Sequence, residues 1–302
     1  MGEAVRLGET VRPGESVGVL VMAYGTPAAP DDVEAYYTHV RRGRPPTPEL
    51  LADLQRRYAA IGGTSPLLDV TRRQAAGLRR ELGAGFHVEL GMKHAPPFIE
   101  DGVAALATAG VDRAVGLVLA PHYSAMSVGE YAARAKGVDV VEQWWDAPGY
   151  LDLLADAVKR GLDGLPDGTE VVFTAHSLPV RALESGDPYP DQLRATAEAV
   201  VARAGPTRWS QAWQSAGRTP DPWLGPDILE VLDDRAAAGT PGVLVCPCGF
   251  VSEHLEILYD LDVEARARAD ALALPFARTA MPNDEPAFLR TLADVVRARL
   301  AP

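Results

Sequence analysis

The chain has 302 residues, a length that predicts two domains, and its 29 basic against 41 acidic residues give a formal net charge of −12. Hydrophobic residues make up 47 % and charged residues 23 %, which is ordinary for a globular protein with a core and excludes a disordered or fibrous chain. So acidic a chain lacks the basic surface that binding to a phosphate backbone requires, which excludes nucleic acid as a partner.

Short apolar runs alternate with amphipathic segments along the chain. The predicted strands are 17–24, 86–93, 114–121, 138–144, 169–176, 209–215 and 242–248. The predicted helices lie near 30–40, 47–60, 68–82, 97–109, 149–163, 189–204, 226–238, 252–272 and 285–300. This alternation predicts an α/β fold built from parallel sheets flanked by helices. So many strands in a chain of this length indicate two sheets.

Two pairs of segments resemble each other and suggest an internal duplication. GLVLAPHYSAMSVGE (116–130) and GVLVCPCGFVSEHLE (242–256) both contain a strand, a proline, an aromatic residue and a helix. VLVMAYGTP (19–27) and EVVFTAHSLP (170–179) also correspond. Chance similarity between buried strands is the alternative.

In parallel sheets flanked by helices, ligands bind beyond the carboxyl ends of the strands. The polar residues at those ends are Tyr24, His94, His122, His176 and Ser215.

Several classes of protein are disfavoured by missing motifs. No GxGxxG, GxxxxGK[ST] or GxSxG sequence occurs, which argues against a nucleotide-binding enzyme and a serine hydrolase. Cys246 and Cys248 are the two cysteines of the chain, and so small a number excludes a disulfide framework. Two thiolates also cannot complete an iron–sulfur cluster. The longest apolar run, 17–23, is far below the roughly 20 residues of a membrane span, and no signal-peptide pattern precedes it. We therefore expect a cytoplasmic protein without a transmembrane segment.

His176 is the strongest single candidate for catalysis. It follows the apolar run 171–175 and precedes Ser177-Leu178-Pro179, where the chain must leave the sheet. A histidine there points into the crevice beyond the strands. The alternative is a strand-end histidine with a structural role only.

A row of carboxylates is the second candidate. Glu256, Asp260 and Glu264 recur every four residues in the predicted helix 252–272, which places them on one face. The row begins at the carboxyl end of a strand and is typical of a path for a divalent cation. A solvated helix face is the alternative. His254 precedes Glu256 but lacks the histidine pair of zinc proteases, which favours an open site for a metal that passes through.

The segment Arg41-Arg42-Gly43-Arg44, followed by two prolines, is a cationic loop in an otherwise acidic chain. The planar guanidinium group binds carboxylates through two hydrogen bonds. The loop therefore indicates a site for a substrate that carries carboxylates. Its alternative is a helix end whose basic residues oppose the helix dipole.

Seven segments together resemble the ferrochelatase family, in particular the Gram-positive type that inserts iron into coproporphyrin III. They are VLVMAYGTP, YYTHVRRGRPP, RYAAIGGTSPL, TAHSLP, DPYPDQL, AWQSAGRTPDPWLGPD and GFVSEHLEILYDLDVE. They occur in unbroken order over residues 17–300. The stretch between Tyr131 and Trp144 looks shorter than in relatives, which leaves a local helix there in doubt.

The resemblance implies two similar α/β domains with a cleft between them. The first would comprise 17–130 plus a C-terminal helix 285–302, and the second 131–284. The implied iron ligands and catalytic residues are His176 and Glu256, with an outer path formed by Asp260 and Glu264. In the implied mechanism the His176 imidazole, unprotonated near neutral pH, strips water from iron and accepts protons. The implied porphyrin-binding residues are Tyr24, as an axial ligand, with Arg41, Arg57, Tyr58, Ser65 and Tyr131.

The implied reaction is insertion of Fe²⁺ into coproporphyrin III in haem biosynthesis. Protoporphyrin-using relatives resemble Gly-Gly-Pro where this chain has Tyr24-Gly25-Thr26-Pro27, which favours coproporphyrin. The alternatives are a protoporphyrin IX ferrochelatase, a cobalt or nickel tetrapyrrole chelatase and a non-catalytic tetrapyrrole carrier. We expect no cofactor beyond the Fe²⁺ substrate and no complete iron–sulfur cluster. The expected partners are coproporphyrin III, Fe²⁺ and, transiently, neighbouring enzymes of the haem pathway.

Overall fold

A computed structural model describes residues 14–184 and 186–301. Within these residues the strands form two four-stranded parallel sheets. The strands of the first sheet are β1 (Val17–Ala23), β2 (Phe86–Met92), β3 (Arg113–Val118) and β4 (Asp139–Val141). Those of the second are β5 (Glu170–His176), β6 (Trp209–Gln214), β7 (Val243–Cys246) and β8 (Phe276–Arg278).

Helices fill the connections between the strands. In the first half they are α1 (Val33–Val40), α2 (Pro48–Ala60), α3 (Leu67–Leu82), α4 (Ile99–Thr108) and α5 (Val128–Arg134). The later α-helices are α6 (Pro148–Leu162), α7 (Arg181–Glu184), α8 (Tyr189–Ala204), α9 (Ile228–Ala237), α10 (Arg266–Ala271) and α11 (Pro286–Leu300). A π-helix, Ile257–Ala265, precedes α10. None of the helices that the structure describes is both long and apolar enough to cross a membrane.

The two sheets have the same strand order. It is β2-β1-β3-β4 in the first and β6-β5-β7-β8 in the second, so the second strand of each half lies at one edge. β1 and β5 hold equivalent positions, and so do β3 and β7, as the paired segments of the sequence predict. The predicted α/β fold with two similar domains is thus confirmed.

Four features differ from the sequence prediction. β4 pairs in parallel with β3, so the first sheet extends beyond the predicted boundary at residue 131. The helices α5 and α7 and the strand β8 were not predicted, because segments of seven, four and three residues are too short to show a hydrophobic period. Pro302, the last residue of the predicted helix 285–302, lies outside the described residues.

The main hydrophobic core spans both halves. Val19 of β1 and Phe173 of β5 belong to one buried cluster, together with Tyr150 of α6 and Phe288 of α11. α11 packs against both α3 and α6 and thereby joins the two halves. Two smaller clusters cover the other faces of the sheets. This packing fixes the carboxyl ends of both sheets around one cleft.

Candidate active site

A cleft of about 820 Å³ lies between the two halves. In each sheet the strand order reverses between the first and third strands of that half, and ligands bind at such switch points. The chain segments that follow β1, β3, β5 and β7 all line the cleft. Both switch points therefore face the same space.

His176 is the last residue of β5 and projects into this cleft. Its Nδ1 lies 2.5 Å from the carbonyl oxygen of Ser177, to which it donates. The hydroxyl of Tyr189 donates to the carbonyl oxygen of His176 at 3.2 Å, which fixes the end of the strand. Because Nδ1 carries the proton of this hydrogen bond, Nε2 is directed to the site.

Glu256 reaches the same point from the segment after β7. It directly precedes the π-helix, and its main-chain oxygen lies 3.4 Å from Nε2 of Gln214 at the end of β6. Its Oε1 lies 3.4 Å from Nε2 of His176, and its Oε2 lies 3.4 Å from Nε2 of His254. Since π-helical turns are rare and often mark functional sites, the geometry agrees with a role for this segment in chemistry.

The His176–Glu256 pair changes the proton affinity of both groups. Burial lowers the pKa of His176, but the charge of Glu256 and the two hydrogen bonds of the ring outweigh it and raise the pKa to about 9. Burial raises the pKa of Glu256, but the His176 and His254 rings hold it well below its usual range. The Glu256 carboxylate therefore favours the imidazolium form of His176 near neutral pH, and not the unprotonated form expected from the sequence.

The outer carboxylates continue from this pair along the π-helix. Asp260 is buried and accepts a hydrogen bond from the Ser215 hydroxyl, while Glu264 is half-buried farther along. Burial raises the pKa of Asp260, and the Glu256 carboxylate raises it further, to about 7. Ser215 has a positive φ of 60°, which turns the chain after β6 towards Asp260.

Arg57 lies beside the outer carboxylates and not among the residues that line the cleft. Its Nη1 is 3.7 Å from Asp260 Oδ1, and its Nε is 3.2 Å from Asp53 Oδ2, one turn back on α2. The predicted porphyrin contact therefore differs from the observed placement. The guanidinium group follows the two carboxylates, because a half-buried cation is stabilised by partners of opposite charge.

The floor of the cleft is aromatic. Tyr24 is 42 % exposed and follows β1, and its ring packs at a tilt of 54° against that of His94, with 4.6 Å between ring centroids. The other predicted porphyrin-binding residues, Arg41, Tyr58, Ser65 and Tyr131, all line the same cleft.

Two charged residues of the cleft wall were missed at the level of sequence. Lys93, directly after β2, is 6 % exposed, and its Nζ lies 2.5 Å from Oε2 of Glu130 on α5. The sequence offered a signal for Lys93, because lysine is rare in this chain and this one stands beside the strand-end residue His94. The sequence offered no signal for Glu130, because a glutamate in a short helix is usually solvated.

The donor set suits a metal ion that is handed on. The described residues contain no group of three or more histidine, cysteine, aspartate or glutamate side chains arranged to hold a metal. Cys246 and Cys248 are fully buried in the main core, where they pack as small apolar side chains. One imidazole and one carboxylate leave most coordination positions of an ion open for an incoming ligand.

Comparison with known proteins gives one consistent family. Residues 16–300 match the family model described as Ferrochelatase. A protein of Halalkalibacterium halodurans named coproporphyrin III ferrochelatase is 43 % identical, over 95 % of this chain and 98 % of the relative. A protein of Bacillus subtilis with the same name is also 43 % identical, over the same shares of the two chains.

Solved structures resemble the fold at low sequence identity. SirB from Bacillus subtilis, solved with Fe³⁺, has a TM-score of 0.57 at 14 % identity and covers 95 % of this chain and 96 % of its own. The sirohydrochlorin chelatase SirB from B. subtilis subspecies spizizenii, in complex with cobalt, has a TM-score of 0.52 at 12 % identity, with coverages of 94 % and 95 %. These similarities support the two-sheet chelatase fold alone.

Proposed function

Since this chain belongs to the ferrochelatase family, we propose that it inserts Fe²⁺ into coproporphyrin III to form iron coproporphyrin in haem biosynthesis. The family makes the chain a metal chelatase, a lyase. The substrate is supported by relatives named coproporphyrin III ferrochelatase, which match 95 % of the chain at 43 % identity.

The observation that carries the proposal is the His176–Glu256 pair. Nε2 and Oε1 approach to 3.4 Å from two different strand ends, on the wall of the one cleft that joins both switch points. An imidazole nitrogen and a carboxylate oxygen are suitable ligands for ferrous iron. Both side chains are half-buried and face the cleft, where an incoming ion can reach them.

The reaction exchanges two pyrrole protons of the porphyrin for one Fe²⁺ ion. The His176 imidazolium first releases its Nε2 proton to water as the positive ion approaches. His176 and Glu256 then replace water molecules of the incoming ion, which is substrate here, and hold it opposite the ring nitrogens. As the metal enters the ring, these same groups accept the two protons and pass them to water. Asp260 and Glu264 extend the negative charge outward from the pair and attract the cation towards it.

The ring itself is held by the first half of the molecule. We place the macrocycle against Tyr24 and its propionates towards Arg41 at the rim. Coproporphyrin III has four propionates, whereas protoporphyrin IX has two, with vinyl groups in place of the others. A charged hydrogen bond contributes about 1.5–3 kcal/mol, so the loss of one predicts roughly ten- to hundred-fold discrimination. Water at the rim reduces this figure.

The test is anaerobic turnover with Fe²⁺ and the two porphyrins side by side. We expect a higher kcat/KM for coproporphyrin III and a smaller difference in the Arg41→Ala variant. Equal efficiency with both rings would favour the protoporphyrin alternative. Turnover with cobalt or nickel alone would favour another chelatase, and binding without turnover would favour a carrier.

Four further expectations belong to this proposal. The enzyme requires no resident cofactor and no iron–sulfur cluster, which metal analysis of the purified protein tests. It acts in the cytoplasm, does not bind nucleic acid, and contacts neighbouring haem-pathway enzymes transiently. Such contacts would be detected by crosslinking in cells.

A further inference from the structure

Three charged side chains, Arg42, Lys93 and Glu130, meet on the wall of the cleft, and we call them the Glu130 cluster. Oε2 of Glu130 lies 2.5 Å from Nζ of Lys93, and Oε1 accepts a hydrogen bond from Nη2 of Arg42 at 3.0 Å. Each carboxylate oxygen thus serves one cation. The two cations form a site that fits one carboxylate, and a carboxylate of the protein occupies it.

Lys93 is fixed in this position. Its Nζ lies 5.1 Å from the ring centre of Tyr131 and 5.9 Å from that of Tyr24. Its main-chain nitrogen donates to Ala23 at 2.9 Å, and its carbonyl oxygen accepts from Arg134. A buried ammonium group of this kind requires an anion, because desolvation of an unpaired charge is costly. The anion is Glu130 as long as no other carboxylate is present.

The opposite side of the cluster is open to the cleft. The Glu130 side chain is 39 % exposed and that of Arg42 is 80 % exposed, whereas Lys93 is 7 % exposed. A carboxylate in the cleft can therefore approach both cations from the solvent side. It would have to displace Glu130 or share the cations with it at the cost of repulsion between like charges.

We propose that Glu130 limits the affinity of the cleft for the porphyrin by competing with a substrate propionate for Lys93 and Arg42. The proposal rests on the proposed function, since the competing groups are the propionates of the porphyrin. The resident carboxylate keeps the buried ammonium neutralised in the empty cleft. By the same contacts it limits the affinity for a ring with several carboxylates, which favours release of a product that retains all of them.

The test compares binding of two forms of the same ring, one with ionised carboxylates and one with these groups esterified. Metal-free coproporphyrin III carries four carboxylates, and its tetramethyl ester, added in detergent, carries none. Dissociation constants are measured by fluorescence for the wild type and for Glu130→Gln, which keeps the shape and removes the charge. We expect the Kd of Glu130→Gln for coproporphyrin III to fall about five- to ten-fold, and the Kd for the ester to stay within about two-fold.

Two further variants isolate the cause. Glu198→Gln removes the same charge from an exposed pair with Arg194 on α8, at 3.0 Å, and should bind both rings like the wild type. Lys93→Met combined with Glu130→Gln removes both the cation and its competitor, so the gain in affinity should disappear. Melting temperatures give a second measurement. Coproporphyrin III should raise the Tm of Glu130→Gln more than that of the wild type, because it replaces the anion that Lys93 has lost.

The opposite results would overturn the proposal. If a folded Glu130→Gln variant bound coproporphyrin III no more tightly than the wild type, Glu130 would only hold the cleft wall in place and would not compete with the substrate. Equal tightening for the ester would indicate a change of shape and not competition between carboxylates. If coproporphyrin III raised the Tm of Glu130→Gln no more than that of the wild type, competition between carboxylates would likewise be contradicted. Because these measurements need no iron, they stand apart from turnover, whose failure in the wild type would count against the proposed function itself.

Discussion

His176 and Glu256 illustrate how the surroundings of a side chain define its chemistry. The same imidazole that donates through Nδ1 to the Ser177 carbonyl directs Nε2 to the Glu256 carboxylate. Each group stabilises the charged form of the other, and an entering metal ion replaces the proton between them. The pair is therefore a site at which a proton and a cation exchange.

Replacement of His176 by alanine should reduce iron insertion at least about hundred-fold, because it removes a metal ligand and a proton acceptor at once. The fold should survive, since the imidazole projects into the cleft and not into the core. Anaerobic kinetics and urea unfolding measure the two effects. His87→Ala on β2, outside the cleft lining, is the control and should keep its activity. Turnover like that of the wild type in His176→Ala would remove this residue from the mechanism.

The carboxylate row should show a graded effect. Glu256→Gln should lose most of the rate at saturating iron, because it removes both the charge and the basicity of a direct ligand. Asp260→Asn and Glu264→Gln should mainly raise the KM for Fe²⁺, with kcat changed less than about three-fold. Steady-state kinetics at varied Fe²⁺ separate these effects. The proposed order of near and far roles is wrong if Glu264→Gln reduces kcat as strongly as Glu256→Gln.

At the scale of elements, close contact between β5 and the segment after β7 positions the pair. The nitrogen of Gly249 donates to the carbonyl oxygen of Thr174 at 3.0 Å. A Cβ atom on Gly249 would lie 2.4 Å from Cβ and 2.8 Å from Cα of Ala175. Only glycine therefore lets the two segments lie this close, one residue before His176.

Gly249→Ala should push the segment after β7 away from β5. We expect the free energy of unfolding to fall by about 1–3 kcal/mol, as for other overpacked sites, and iron insertion to fall with it. Urea denaturation measures the first effect. Gly164→Ala is the control, because no atom lies within 4 Å of the added Cβ and its φ is not positive. Its stability should stay within about 0.5 kcal/mol of the wild type. A similar result for Gly249→Ala would contradict the requirement for close contact.

At the scale of the whole molecule, buried polar contacts join the two halves around the cleft. His122, after β3, pairs through Nε2 with Oγ1 of Thr196 on α8 at 2.9 Å. Gln74 of α3 donates to Oγ of Ser252, in the segment before Glu256, at 2.9 Å. The position of the site thus depends on the docking of the halves as well as on each sheet.

The contact of His122 makes stability depend on pH. Burial lowers the pKa of His122 to about 3, from about 6.5 in the unfolded chain. The unfolded state therefore binds more protons between these values, and stability is complete above pH 6.5 and is lost as the pH falls. At pH 5 this one group should cost about 2 kcal/mol relative to pH 7.

Urea unfolding of the wild type and His122→Gln at pH 7 and pH 5 measures this contribution. The variant should be less stable at pH 7 but should lose about 2 kcal/mol less than the wild type on going to pH 5. The comparison isolates His122, because other groups titrate equally in both proteins. The same pH dependence in both would show that the ring is not held neutral between the halves.

The local structure and the identity of the reactive groups follow from the order of residues along the chain. Alternation of apolar runs with amphipathic segments predicts seven of the strands, because burial on both faces of a parallel sheet leaves a signal within a few residues. The turn after each strand predicts which polar residues reach the crevice, including Tyr24 and His176. The similar order of the segments in both halves predicts the repeated topology.

Which of these residues meet depends on how the two halves of the molecule pack together. Packing of the helices and sheets brings together three pairs of side chains that are distant in sequence. They are His176 with Glu256, Arg57 with Asp260, and Lys93 with Glu130. The short strand β4 likewise joins the first sheet through its partner β3, and not through a pattern of its own. The physical reason is that periodicity and turn preferences act between neighbours along the chain. Charge pairing and pKa values instead follow distances across the cleft, which the docking of the two halves sets.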